Sequence, residues 1–407
     1  MDLASKLENI LESIDALHPT VRNAFLASLP EDNEALISFP AAKWDDFFEE
    51  HGTEFGLQSR SFKYSNFLME NDITPTYQLP RSFHKEVCKI ALVWMGAYRF
   101  QRSKRTKEEA HLRMLEPFLI PIISLFQGRI LDKSMKRLIE TKYSTGGRAE
   151  HAMFLLGGAL FLVVELKLQL GDEGELGDYV TQLFLELLAA AQRNGRHDFK
   201  NLKVYGLLSD FSQYYFYTYH PETKKFFKNQ EMRISDGTFD GVCEGMMHAC
   251  NKIFGLVLTA YIGGLRTIVG WDERGDHGNR ARPWKTALRL AEACRTKFEE
   301  PVTDLAEMEQ RGIEALENLT KSASSMPVDL FHCDEEPTMP ADREKFADAL
   351  TARVYESQLR KEREQRAKNA IRVQKRKRDS EPEVDDSYIQ PEGLRRSSRS
   401  LKSAKLK

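Results

Sequence analysis

Residues 149–168, AEHAMFLLGGALFLVVELKL, decide how this chain is read. Two short apolar runs flank Gly157-Gly158, and a glycine pair between such runs is the signal of a tight β-hairpin. A two-residue turn at Gly157-Gly158 pairs Leu156 with Ala159, so that Glu150 falls opposite Glu165 and Arg148 opposite Lys167. Side chains alternate along a strand, so Glu165 and Lys167 share one face, and Glu150 faces the same way across the hairpin. Two carboxylates directly opposite each other repel and need a compensating charge. A divalent cation supplies one: Mg²⁺ is satisfied by one or two carboxylates, with waters and a substrate phosphate completing its shell. The nearby Lys167 ammonium would then steady a water or a phosphoryl oxygen. The competing reading is a solvated strand end, which an isolated Glu-x-Lys usually is.

Working outward, residues 179–192 form an expected helix, capped by Asp178, that buries Val180, Leu183, Phe184, Leu187 and Leu188. Asn194-Gly195 is read as its end. Gln182 and Glu186, four residues apart, share a face that can turn toward the sheet end. His151 falls on the opposite face from Glu150 and is read as a packing histidine. Glu116 is a weaker candidate, approaching from the helix before the hairpin. Strands follow at 202–208, 213–219 and from Lys225, and an apolar helix is expected at 239–269. Before the hairpin, helices are expected at 84–101 and 107–126, with residues 133–141 continuing the helical layer. The expected fold is therefore α/β (α+β): a mixed central sheet flanked by helices.

The arrangement of Arg148-Ala149-Glu150-His151, Val163-Val164-Glu165-Leu166-Lys167, the helix beginning Gln182-Leu183-Phe184 and the strand Val204–Asp210 resembles the PD-(D/E)XK restriction-endonuclease-like superfamily. It is similar in particular to nuclease-like modules of fungal and Crinkler-type proteins. The resemblance covers residues 110–270. It implies a restriction-endonuclease-like core and metal-dependent hydrolysis of a nucleic-acid phosphodiester, DNA or RNA. Glu150 and Glu165 would hold Mg²⁺ or Mn²⁺, Lys167 would act on water and transition state, and Gln182 would support them. Two departures stand out: position 150 is Glu where the family usually has Asp, and no Pro precedes it. The alternative is a catalytically inactive nucleic-acid-binding, effector or interaction module on the same fold.

Composition and charge frame this core. The chain has 407 residues, 41% hydrophobic and 29% charged, which excludes wholesale disorder. Its five cysteines (88, 243, 250, 294 and 333) include no closely spaced pair, which argues against a disulfide-stapled fold or a zinc ribbon. The acidic start lacks an apolar run, and the longest apolar stretch, residues 152–164, falls short of the ~20 residues a membrane span needs. No membrane role is expected. Net charge is −2, but it is unevenly spread. Residues 1–80 hold 5 basic and 14 acidic residues, whereas residues 351–407 hold 17 and 9. The expected organisation is an acidic, mainly helical region at 1–83, a nuclease-like domain at 84–275, a helical extension and loop at 276–340, and a charged helix with a disordered basic tail at 341–407. In the head, Leu3, Leu7, Ile10, Leu11 and Ile14 keep helical spacing, and residues 41–50 suggest a short helix burying Trp44, Phe47 and Phe48. Two basic clusters suit a polyanion: Arg99 to Lys107, and Lys224, Lys225 and Lys228 beside the tyrosines of 214–219. Those tyrosines also suit a sheet face packed on a helix. In the tail, Lys375-Arg376-Lys377-Arg378 reads as a patch for the nuclear import machinery, which implies a nuclear protein.

Overall fold

The computed structural model describes residues 39–57, 70–98, 108–138, 140–155, 158–171, 173–196, 199–235, 237–272, 281–326 and 343–379. The expectations for residues 3–14, the basic cluster at 99–107, the loop at 327–340 and the tail beyond 379 lie outside these residues. The chain divides into two units, residues 1–333 and 334–407.

The first unit is built on a six-stranded sheet in sequence order. Its strands are β1 (Ile130–Leu138), β2 (Gly147–Leu155), β3 (Ala159–Leu166), β4 (Val204–Ser209), β5 (Gln213–His220) and β6 (Lys225–Arg233). Only β3 and β4 run parallel, joined by the long helix α4 (Glu173–Arg196); every other neighbouring pair is antiparallel. Parallel neighbours need such a crossover, so one helix is tied to both central strands. Before the sheet come α1 (Trp44–His51), α2 (Arg81–Tyr98) and α3 (Glu108–Ser124); after it come α5 (Phe239–Asp272), α6 (Ala281–Glu299) and α7 (Leu305–Ser325). The fold is α+β, with helices covering both faces.

Two apolar cores lie on the two faces. On one, α1 and α4 pack on the sheet, with Phe184 of α4 stacked on Phe226 of β6 at 3.9 Å. On the other, α2, α3, α5, α6 and α7 share a core with Phe161, Tyr205 and Phe216. Helix α5 is long and apolar enough to cross a membrane by length and composition, but two-thirds of its apolar window is buried inside the protein. It is a core helix, and its apolarity follows from being surrounded. Tyr214 to Tyr219 are buried, with the Tyr214 hydroxyl 3.0 Å from Met246 Sδ. They pack the core, and no base-stacking platform forms from them. Beside them, Lys228 is buried and pairs with Glu231 at 3.3 Å. Cys88, Cys243, Cys250 and Cys294 are free thiols.

Four details depart from the sequence reading. Residues 130–138 form strand β1 and continue no helical layer. An edge strand has one neighbour, and Asp132, Lys133, Lys136 and Arg137 give it charge and no apolar period; charged residues are a common guard for a sheet edge. The spacing of Val87, Ile90, Ala91, Trp94 and Tyr98 predicts the inner face of α2, but the helix buries Val87, Ala91 and Met95 and leaves Ile90 and Tyr98 exposed, so that face is rotated from the expected one. Helix α4 begins at Glu173, which puts Asp178 inside it. Asp178 instead serves α1: Trp44 N–H donates to its Oδ1 at 3.0 Å, and Lys43 Nζ lies 2.6 Å from Oδ2. Helix α4 also runs past Asn194 to Arg196, and the buried Asn194 amide bonds both the N–H and the C=O of Leu160 in β3.

Candidate active site

The hairpin sets the site. Leu155 pairs with Ala159, so the loop is one residue longer than a two-residue turn at Gly157-Gly158; of its residues, Leu156 and Gly157 lie outside the described ones. Gly158 has φ +133°, a region open mainly to glycine, and its N–H donates to Leu155 O. Left alone, this one-residue shift would misalign the far end of the hairpin. A β-bulge corrects it: Phe154 pairs with Leu160 but Met153 pairs with Leu162, leaving Phe161 as the extra residue. Phe161 and Leu162 both contribute to the core beneath α5. Beyond the bulge the pairs are Ala152 with Val163 and His151 with Val164. Continued by one step, this register sets Glu150 opposite Glu165, both toward α4.

Helix α4 is pressed close to these strand ends. Gly206 of β4 lies under Leu183, where a Cβ would come within 2.9 Å of Leu183 Cδ2. That close approach brings Gln182 and Glu186 to the sheet. Lys167 Nζ donates to Glu165 Oε1 at 2.7 Å and to Gln182 Oε1 at 3.0 Å. Gln182 Nε2 donates to Glu165 Oε1 at 2.5 Å and to Glu186 Oε1 at 3.1 Å. A carboxylate only accepts and an ammonium only donates, so these partners fix which end of the Gln182 amide faces which. Glu150 accepts from the backbone N–H of Leu166. The four expected residues, Glu150, Glu165, Lys167 and Gln182, thus converge at one sheet end, and Glu186 lies behind them.

Electrostatics separate the carboxyls. Glu186 is fully buried. Burial pushes its carboxyl well above the usual range, the neighbouring Glu165 charge adds to this, and the Gln182 hydrogen bond only partly offsets it. Its surroundings therefore favour the neutral form of Glu186. Glu150 is only half-buried. It lines, with Glu165, Lys167 and Gln182, a pocket of about 520 Å³. Lys43 and Arg148 bring positive charge to this pocket, and Glu175 and Asp178 bring negative charge.

Sequence reasoning missed two supports of Lys167. Its ammonium lies 5.1 Å from the centroid of the Tyr179 ring, a cation–π contact from the same helix that carries Gln182. Its backbone is held from both sides: the N–H donates to Ser209 O at 2.9 Å, and the C=O accepts from His111 Nδ1 of α3 at 2.9 Å. A carbonyl is only an acceptor, so His111 must carry a proton on Nδ1. No sequence spacing links residues 111 and 167, since the contact exists only once α3 docks. Asp210, just after β4, also braces the region. Burial alone would raise its carboxyl, but it accepts from the N–H groups of Leu170, Ser212 and Gln213 and from the Ser212 hydroxyl, and these hold it below the ordinary carboxylate range. The Leu170 bond ties the chain leaving β3 to the β4–β5 turn.

His151 is buried, with Nδ1 2.6 Å from Asp132 Oδ2 on β1, as suits its expected packing role. Glu116 pairs with Arg113 at 3.0 Å and does not line the pocket.

Carboxylate oxygens are the kind of donor that a hard divalent cation of the Mg²⁺ type takes. Glu150 and Glu165 bring two carboxylates to the pocket lining, with Glu165 Oε1 already accepting from Lys167 and Gln182 and its Oε2 buried; Mg²⁺-type ions take one or two carboxylates and keep several waters. Among the described residues no group of three or more His, Cys, Asp or Glu side chains is placed to hold a metal ion. Compared with protein-family models and with curated proteins, the chain matches none.

Proposed function

We propose that this chain is a PD-(D/E)XK-type nuclease-like protein that hydrolyses nucleic-acid phosphodiesters with a divalent cation. One observation carries the reading: Glu165, Lys167 and Gln182 form a closed hydrogen-bonded set beside Glu150 at the floor of an open pocket. Glu150 and Glu165 would hold Mg²⁺ or Mn²⁺. When bound, the ion supplies neutralisation of phosphoryl oxygens and a more acidic water. The remaining work belongs to the side chains. Lys167, steadied by Gln182 and the Tyr179 ring, holds an ammonium where a water or a developing phosphoryl charge would sit. Gln182 fixes the orientation of the Glu165 carboxylate. Neutral Glu186 anchors Gln182 from below without adding a third negative charge.

The test is cleavage of DNA and RNA by purified protein in Mg²⁺ or Mn²⁺, against Glu165→Ala and Lys167→Ala. Loss of about a hundredfold or more in each variant is the expected result. Equal cleavage by all three proteins ends the proposal. A second reading, a non-catalytic module on the same fold, is favoured by one fact: Lys167 already sits on Glu165 at 2.7 Å, so this carboxylate is compensated without a metal. Calorimetry decides between them, because the non-catalytic reading expects no Mg²⁺ or Mn²⁺ uptake. Nuclear import through Lys375–Arg378 belongs to the same proposal. A fluorescent fusion that stays nuclear when all four become Ala would remove that part.

A further inference from the structure

Helix α8 (Arg343–Asp379) belongs to the second unit. It spans 37 residues, and every side chain described in it is exposed. Its apolar and basic residues are segregated along its length. Phe346, Leu350 and Val354, four residues apart, make a short stripe over the first turns. From 360 to 378 the only large apolar residues are Ile371 and Val373. A helix that lies on a membrane surface carries its cations opposite a continuous apolar face, and this stretch has none.

Charge is what organises the second half of α8. Ten of the nineteen residues from 360 to 378 are Lys or Arg, and two are acidic. Arg360, Lys361, Arg363, Arg366, Lys368 and Arg372 are all exposed, and at 100° per residue they point all round the helix. This stretch is about 28 Å long. Cations on every side suit a partner that presents negative charge on both flanks of the helix. An acidic protein surface meets one flank only. The major groove of B-form DNA is about 12 Å wide, runs between two phosphate backbones, and admits an α-helix. The A-form major groove of duplex RNA is too narrow and deep for one.

We propose that α8 binds duplex DNA by lying in its major groove, with the cations from Arg360 to Arg372 facing phosphates on both sides. The binding does not depend on the hydrolytic reading of the pocket. It supplies polyanion affinity that the nearly neutral body of the chain lacks.

The experiment measures fluorescence anisotropy of a labelled 30-base-pair DNA with the full chain, in a chelator so that no cleavage occurs. The variant changes Arg360, Lys361, Arg363, Arg366, Lys368 and Arg372 to Gln, which keeps helix propensity. The expected result is tenfold or greater loss of affinity, and a log–log salt slope shallower by about five, at about 0.9 for each phosphate the variant no longer neutralises. An unchanged melting midpoint shows that the variant's compact unit is intact. Unaltered affinity and slope overturn the proposal. So does equal or tighter binding of duplex RNA of the same sequence, or of polyglutamate, which would make the partner an acidic protein. Helix-dependent DNA binding without cleavage in Mg²⁺ would sink the nuclease reading and leave this one standing.

Discussion

Glu186 shows how much one buried carboxyl governs. Burial and the neighbouring Glu165 charge hold its carboxyl well above the value of about 4.5 at which it ionises when unfolded. Above that pH the folded state binds the extra proton, so the group's contribution to stability falls as pH rises toward its raised folded value. Glu186→Gln removes this dependence and keeps the shape. The expected outcome is a melting midpoint at pH 8 equal to or above wild type, with a flatter decline between pH 5 and 8, read by calorimetry. An unchanged decline would show that Glu186 is charged in place. His111 offers a second test. His111→Leu leaves the buried Lys167 carbonyl without its donor, at about 1–3 kcal/mol of stability. His111→Gln keeps a donor and is expected to recover part of that loss in urea melts. If hydrolysis is established, the Leu variant should lower kcat more than it raises KM.

Among the elements, the apolar parts are legible in the sequence and the polar parts are not. Strands β2 to β5 and helix α5 follow from continuous apolar runs, because a segment buried on both sides has little freedom in composition. Strand β1 is opaque because an edge carries mixed charge, and a charged nine-residue stretch reads equally well as an exposed helix. The inner face of α2 is misplaced for a related reason: Ile90 and Tyr98 are apolar yet exposed, so hydrophobicity alone gives the wrong phase. Asp178 has the composition of a cap for its own helix and instead caps α1, a partnership 134 residues apart in sequence. Asp178→Ala is expected to cost about 0.5–2 kcal/mol in denaturant unfolding. The seat of α4 on β4 gives the sharper test. Gly206→Val places branched carbons against Leu183, and destabilisation of about 1–3 kcal/mol is expected from overpacking. Metal uptake should weaken with it, since Gln182 rides on the displaced helix.

At the scale of the molecule, the acidic head and the 276–340 extension contribute to the same cores as the sheet. Trp44 and Phe47 lie over one face, and Trp284, Ala291 and Leu319 join the core of the other. Among the described residues, 343–379 supply none to either core, and removing 334–407 is expected to leave the thermal midpoint of the remainder within about 1 °C, since a change of that size corresponds to a few tenths of a kcal/mol. A drop of several degrees would mean that the second unit supports the first. The candidate site itself is readable because strand parity and helix spacing act locally. Its supports from α3 are not, because they are made by docking.

The bulge at Phe161 makes the hairpin tip and its charged end independent of each other. With Phe161 deleted, the pairing set by the tip would run on unbroken, and Glu150 would still meet Glu165. The spare residue is thus a shim between two lengths of ladder: the tip can gain or lose a residue, and the shim can vanish or appear, while the acidic pair stays aligned. Variation in loop length near Gly158 is accordingly no sign of a damaged centre.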